Sequence, residues 1–352
     1  MTAQNDKTVL VGMSGGVDST VAVLLLQAQG YRVIGATMRI WHEAPGHAEK
    51  TIEAARSAAD ALRIAHHVCD ARDAFYQTVV SPFIEAYSAG KTPNPCVLCN
   101  PFIKFASLID LADKISIAYI ATGHYARITR YAPTGRHAIQ RAVHLDRDQS
   151  YMLYALTQQQ LERLLLPLGE YGKNDVRGIA QSHDLHCAEA PASQEICFLA
   201  DQDYGRFIRE QCPDLFVPGK IVDMAGHVLG QHSGIIHFTI GQRKGLGIAT
   251  GEPLYVCAID KDTRRIIVGS EQDLYRSEMR VGDLAYMAVE NFDSVKKADV
   301  KIRHQAKPAP AKVRMDGEEA VIQFDEPQRA ITPGQAAVLY DGDIVLGGGI
   351  IR

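Results

Sequence analysis

The sequence predicts an α/β protein with an N-terminal parallel sheet flanked by helices, a small central domain and a C-terminal β-barrel. Three features predict it. Strand-like and helical runs alternate through the first half of the chain, glycines and prolines break up short β-branched runs after about residue 202, and only short strands remain from about residue 277. At 352 residues the chain exceeds what one core usually organises. The changes of texture divide it into residues 1–202, 203–276 and 277–352.

Residues 8–13 are β-branched or apolar, and residues 18–29 form a strongly apolar helical run ending at Gly30, which reads as strand, glycine turn and helix. A second strand is expected over 31–38, an Ala-rich helix over 48–62, a strand over 64–69 and a short strand over 119–122, before Gly123. Such alternation is the pattern of a parallel sheet. Downstream, Pro213, Pro218, Gly219, Gly226, Gly230 and Gly234 begin a turn-rich region. Short strands over 300–302, 320–324, 336–340 and 344–346, with turns at Pro333-Gly334 and Asp341-Gly342, fit a small barrel.

Composition excludes several classes. Hydrophobic residues at 46% and charged residues at 22% are ordinary for a soluble globular chain, and no run approaches the roughly 18 apolar residues of a membrane span. The start, with Lys7 and a brief apolar run broken by Gly12, lacks the organisation of a signal peptide. A cytoplasmic protein without a membrane partner is expected. Seven cysteines, an odd number over a long chain, argue against a disulfide framework. The net charge of −4 gives no global attraction to nucleic acid, but Lys296, Lys297, Lys301, Arg303, Lys307, Lys312 and Arg314 reverse the sign locally, against Asp299 alone.

The loop from Ser14 to Ser19 reads SGGVDS. Gly15 and Gly16 permit backbone angles closed to other residues, so successive N–H groups can converge on a phosphate at the start of the following helix. Ser14 and Ser19 add hydroxyl donors, and Asp18 can hold a metal ion or order the turn. The pattern is neither a Walker loop nor the dinucleotide GxGxxG.

Cysteine chemistry is concentrated in two places. Residues 91–100 read KTPNPCVLCN, in which Pro93 and Pro95 stiffen the chain and the CxxC spacing brings Cys96 and Cys99 together; residues 193–198, SQEICF, supply Cys197. A CxxC also suits structural zinc, but zinc takes four ligands and no second CxxC or ordered His pair completes a site. Cys69, Cys187, Cys212 and Cys257 read as small core or surface residues. His42 and His47 are assigned no metal, and Asp70 and Asp73 read as helix-start residues rather than Mg²⁺ ligands.

SGGVDS resembles the pyrophosphate loop of ATP pyrophosphatases, which cleave ATP between its α- and β-phosphates to adenylate an oxygen. Taken with TPNPCVLCN, SQEICF, TGHYAR (122–127), DQSYML (148–153), GQRKGLG (241–247) and TPGQAAVLYDGDIVLGGGII (332–351), the chain resembles the tRNA-specific 2-thiouridylase family from end to end. The resemblance implies ATP-dependent thiolation at C2 of the wobble uridine (U34) in tRNAs for Lys, Glu and Gln. It implies ATP contacts at Gly12, Met13, Ser14, Gly15, Gly16, Val17, Asp18, Ser19, Met38 and Gly123, with Mg²⁺ accompanying the nucleotide. Cys99 corresponds to the catalytic nucleophile and Cys197 to the persulfide carrier. Asn94, Pro95 and Cys96 would meet the target base, and His124, Asp148, Gln149, Ser150, Arg303, His304 and Gln335 match positions that touch the tRNA.

This chain departs from the family pattern in two ways. Many members have Asp where Cys96 stands, and Arg is usually followed by Tyr where this chain has Arg303-His304. Three thiolates at Cys96, Cys99 and Cys197 would suffice to ligate a [4Fe–4S] cluster with one iron open to hydrosulfide. Two delivery routes are therefore open, a cysteine persulfide or a cluster-bound sulfide, with the sulfur donor either a cysteine desulfurase or a relay protein. Lys104 or a helix end is the expected source of the positive field that a reactive thiolate needs. The rival readings are a pyrophosphate-loop amide ligase acting on a small molecule, which leaves Cys99 and Cys197 without a role, and an RNA- or iron–sulfur-binding protein with a decayed ATP site.

Overall fold

The computed structural model describes residues 7–183, 185, 196–201, 203–248 and 251–352. Cys187 and residues 193–195 of the SQEICF motif lie outside the described residues.

The first sheet is wholly parallel, ordered β3-β2-β1-β4-β7, where β1 is Thr8–Gly12, β2 Arg32–Arg39, β3 His66–Asp70, β4 Tyr119–Thr122 and β7 Leu164–Leu165. Alternation within β1 serves two faces. Val9 and Val11 pack with Val23 and Leu26 of helix α1 (Val17–Ala28) and with Ala55 and Ala59 of α2 (His47–Ala61). Leu10 turns the other way, toward Leu108 of helix α6 (Phe105–Lys114). These strands and helices match the expected ones to within a few residues.

Between β3 and α6 the helices are interrupted. Residues Arg72–Phe75 (α3), a π-helical turn at Tyr76–Val80 and Ser81–Ser88 (α4) form one helical stretch. A second runs through Cys96–Cys99 (α5), a π turn at Asn100–Lys104 and α6. Asp70 accepts the Arg72 backbone N–H and pairs with its guanidinium, the helix-start role expected of it.

The central segment forms a four-stranded sheet ordered β10-β11-β8-β9, from β8 (Gly219–Val222), β9 (Val228–His232), β10 (Tyr255–Asp260) and β11 (Arg265–Gly269). The last segment is a closed antiparallel barrel. Its strands β12 (Tyr275–Tyr286), β13 (Lys297–Lys301), β14 (Ala309–Asp316), β15 (Glu319–Arg329), β16 (Ala336–Asp341) and β17 (Ile344–Ile351) run in the order β12-β15-β14-β13-β16-β17, and β17 closes onto β12. Closure needs close approach at Gly347, where a Cβ would collide with the Ala285 carbonyl oxygen of β12.

A hairpin from the N-terminal segment, β5 (Ala126–Arg130) and β6 (His137–Arg141), joins the barrel sheet beside β17, with Ile344 opposite Gln140. One core therefore runs from Leu10, Leu108 and Ile120 through Tyr151 and Tyr154 to Val281, Leu339 and Ile351. A second core joins Phe75, Phe83, Phe198 and Phe207 to Ile221 and Val256 of the central sheet.

Candidate active site

In a parallel sheet with this strand order, ligands bind beyond the carboxyl ends of the strands where the order reverses. Here β1 and β4 flank that point, and their carboxyl ends lead into the SGGVDS loop and Gly123. Gly15 adopts φ +76°, and a Cβ there would lie 2.7 Å from Ala54 Cβ of α2. The Ser14 N–H donates to Ser19 Oγ at 3.3 Å, while the hydroxyls of Ser19 and Thr20 donate to the Gly16 carbonyl at 3.0 and 2.9 Å. Gly16 caps α1 without a side-chain hydrogen bond, so the first-turn N–H groups keep their capacity for an anion. A Cβ on Gly123 would sit 2.8 Å from the Ser19 nitrogen, so β4 lies directly against the loop. Met38, at the end of β2, packs partly buried against both large cores.

Asp18 is more constrained than its place in the motif suggests. Its Oδ1 accepts the Tyr125 hydroxyl at 2.6 Å and the Lys173 ammonium at 2.6 Å. Neither partner is signalled by the sequence, because both lie more than a hundred positions away and only the fold brings them in.

The cysteines gather at the start of the second helical stretch. The Cys96 N–H donates to Asn94 Oδ1 at 3.1 Å, and Cys96 and Cys99 sit three positions apart in α5, on one helix face. Lys104 follows Cys99 by five positions. In a regular α-helix it would point about 140° away, but the intervening turn closes i→i+5 and returns it toward the same side. His124 fixes it there. Its Nδ1 pairs with the Thr122 hydroxyl at 2.6 Å, and its Nε2 lies 3.4 Å from Lys104 Nζ. Burial, and then Lys104, hold His124 well below the ordinary imidazole range, so Nε2 is an acceptor for the ammonium.

The thiols feel one another and Lys104. Burial pushes Cys99 up to about 11, with Lys104 opposing and Cys96 reinforcing the shift. Cys197 is exposed, and its dense surroundings, then Cys99 and Cys96, push its thiol upward, with Lys104 opposing. Burial also raises Cys96. The segment carrying Cys197 is tied down through its neighbours. The Glu43 N–H donates to the Phe198 carbonyl at 3.0 Å, Glu43 Oε2 accepts the Ala200 N–H at 2.9 Å, and Arg206 bridges Glu43 and Asp201. Among the described residues no group of three or more His, Cys, Asp or Glu side chains is disposed to hold a single metal ion. His42 and His47 stack on each other, with ring centroids 3.7 Å apart.

The remaining expected site residues fall into two groups. The loop carrying Asn94 and Pro95 docks on the barrel, where the Thr92 N–H donates to the Pro333 carbonyl at 2.9 Å and Gln335 Nε2 donates to the Thr92 carbonyl at 2.8 Å. Gln335 thus meets the Cys96 segment. Asp148, Gln149 and Ser150 meet His304 elsewhere on the barrel. Asp148 and Ser150 are buried, and Asp148 accepts the Ala142 and Ser150 N–H groups and the Ser150 hydroxyl. Gln149 accepts the Tyr125 N–H at 2.9 Å. His304 is held low by burial and bonds the Asp148 backbone, and Arg303 donates to the Arg329 carbonyl at 3.0 Å. The carboxylate of Asp148 and the hydroxyl of Ser150 are thus committed inward.

Comparison with known proteins agrees with this arrangement. The tRNA methyl transferase HUP domain profile matches residues 7–201, the tRNA methyl transferase PRC-barrel domain residues 205–270, and the aminomethyltransferase beta-barrel domain residues 276–351. The tRNA-specific 2-thiouridylase MnmA of Acetivibrio thermocellus is 45% identical over 357 residues, spanning 98% of this chain and 99% of that protein. This chain belongs to the tRNA-specific 2-thiouridylase family. A second 2-thiouridylase, from Clostridioides difficile, is 44% identical and covers 99% of the chain and 98% of its own length. Gly123 packs against the phosphate loop, and the next residue, His124, reaches Lys104 on the helical stretch that carries Cys96 and Cys99.

Proposed function

We propose that this protein installs sulfur at C2 of the wobble uridine of tRNA, using ATP, in tRNAs for Lys, Glu and Gln. The observation that supports this most directly is that Lys104, which opposes the raised thiols of Cys99 and Cys197, bonds His124, the neighbour of the Gly123 that packs on the phosphate loop. The uridine O2 attacks the α-phosphorus, the bond to the bridging oxygen breaks, and pyrophosphate leaves; the terminal sulfur of a Cys197 persulfide then attacks C2 and expels AMP. Cys99 attacks the remaining sulfur at Cys197, releasing the thiouridine and leaving a disulfide that an external thiol reduces. A persulfide needs two thiols, which Cys99 and Cys197 supply; Cys96 would be the third ligand if the sulfide were carried instead by a [4Fe–4S] cluster.

Asn94, Pro95 and Cys96 would line the space for a base drawn out of the anticodon loop. Gln335, Gln149 and Arg303 remain candidates to touch tRNA, whereas Asp148 and Ser150 would shape that surface from beneath. Mg²⁺ would enter with ATP. A cysteine desulfurase or relay protein would load Cys197, and the reaction belongs in the cytoplasm with its tRNA. Residues 1–202 would be catalytic, with 203–276 and 277–352 as the central and tRNA-contacting domains. A small-molecule amide ligase would leave both cysteines idle.

Mass spectrometry of tRNA nucleosides after incubation with ATP, tRNA and a cysteine desulfurase with cysteine, which transfers sulfane sulfur to Cys197, tests the reading. Wild type should form 2-thiouridine, and Cys99→Ser and Cys197→Ser should form none while still releasing pyrophosphate in the presence of tRNA. Normal thiouridine from Cys99→Ser would overturn the mechanism.

A further inference from the structure

The SGGVDS segment, from the end of β1 into the first turn of α1, has backbone amides, hydroxyls and one carboxylate, but no cation. That composition is incomplete for its task. Cleaving ATP between the α- and β-phosphates expels a multiply charged anion, and phosphate sites meet such charge with a lysine or arginine. A lone Asp18 in the first turn of α1 would repel the same anion.

The cation comes from a distant part of the sequence. Lys173 is the first residue of helix α8 (Lys173–Ser182), its side chain is only 6% exposed, and its ammonium lies 2.6 Å from Asp18 Oδ1. Lysine is almost never buried without a reason. Helix α8 packs against α1 through Val176 and Ala180, which share a cluster with Val17 and Val21, so the lysine is fixed relative to the phosphate loop. Arg147 and Arg177 add positive field on the same side, where both act on Tyr125, the other partner of Asp18.

We propose that Lys173 is a catalytic residue that binds the β- and γ-phosphates of ATP and neutralises the departing pyrophosphate, with Asp18 as its resting counter-ion. The assignment rests on the reading of the loop as an ATP site. In the resting protein Asp18 holds the ammonium beside the loop. When the triphosphate arrives, its oxygens replace Asp18 as the partner of Nζ, and Asp18 keeps the Tyr125 hydroxyl. The bond between the α-phosphorus and its bridging oxygen then breaks, the electron pair leaves on pyrophosphate, and Lys173 stabilises that charge without transferring a proton. AMP, left behind on the substrate, has no atom at this position.

The test is calorimetric titration of the full-length protein with α,β-methylene-ATP, pyrophosphate and AMP, each with Mg²⁺. Lys173→Met should weaken the analogue and pyrophosphate by about tenfold or more and leave AMP within about twofold. Lys173→Arg, which keeps the charge, should recover part of the loss. Because Lys173→Met leaves a carboxylate unpaired, the double variant Asp18→Asn/Lys173→Met serves as a second arm, and it should show the same selective loss. The proposal is overturned if either variant binds the analogue as wild type does, or if AMP and the analogue weaken equally. Wild-type protein that binds neither nucleotide would overturn the ATP reading and this assignment with it.

Discussion

The thiols of Cys99 and Cys197 sit in surroundings that oppose their ionisation, and the ammonium of Lys104 favours it in both. The sign of the resulting pH dependence follows. With both groups raised above the ordinary thiol value, the neutral form dominates through pH 7–9, and the thiolate fraction grows by about tenfold per pH unit there. Alkylation of Cys99 by iodoacetamide, followed by mass spectrometry, should accelerate accordingly up to about pH 11. Lys104→Met should slow it at every pH in that range, because the opposing cation is gone. A rate independent of pH between 7 and 9 would mean the thiol is already ionised.

At the scale of elements, the glycine turn and the helix behind it constrain each other. Gly15→Ala would combine a left-handed backbone angle with a Cβ 2.7 Å from Ala54, so either the loop or α2 must shift. A loss of about 1–3 kcal/mol is expected, read as a lowered urea midpoint, together with weakened ATP binding. The parallel sheet and its loop were legible in the sequence because strand, glycine turn and helix follow one another locally. The two π turns were not, since Asn100–Lys104 differs from an α-helix by one hydrogen-bond step and carries no compositional mark. The hairpin β5–β6 also escaped notice, because residues such as Arg127, Thr129, His137 and Gln140 alternate only weakly and their barrel partner lies some two hundred positions downstream. Strand β12 begins at Tyr275, inside the stretch assigned by texture to the central domain, and its exposed Arg276, Ser277 and Glu278 hide its start. Lys173 could not be read for the same reason as the hairpin: a contact 155 positions apart leaves no local trace.

Across the whole molecule, the N-terminal sheet and the barrel share one core, while the helical stretch 72–88 and the central sheet share another. Leu339 is fully buried in the first. Leu339→Ala should cost about 2–5 kcal/mol and lower the urea midpoint for loss of nucleotide binding together with that for circular dichroism. Trp41, the single tryptophan, packs on Tyr76, Phe198 and Phe207 in the second core, so its fluorescence follows that body. Separate midpoints for nucleotide binding and barrel structure in this variant would show that the shared core does not couple them.

The pairing of β17 with the hairpin β5–β6 also sets a timetable for biosynthesis. The first half of the chain emerges from the ribosome with Leu10, Leu108 and Ile120 facing a layer that residues 336–351 will complete, and chains emerge at about 5–20 residues per second. The Leu10 face of the parallel sheet is thus translated early but covered last. Nascent chains arrested before residue 336 should remain protease-sensitive across the β5–β6 hairpin, and those extended past residue 351 and clear of the exit tunnel should become resistant.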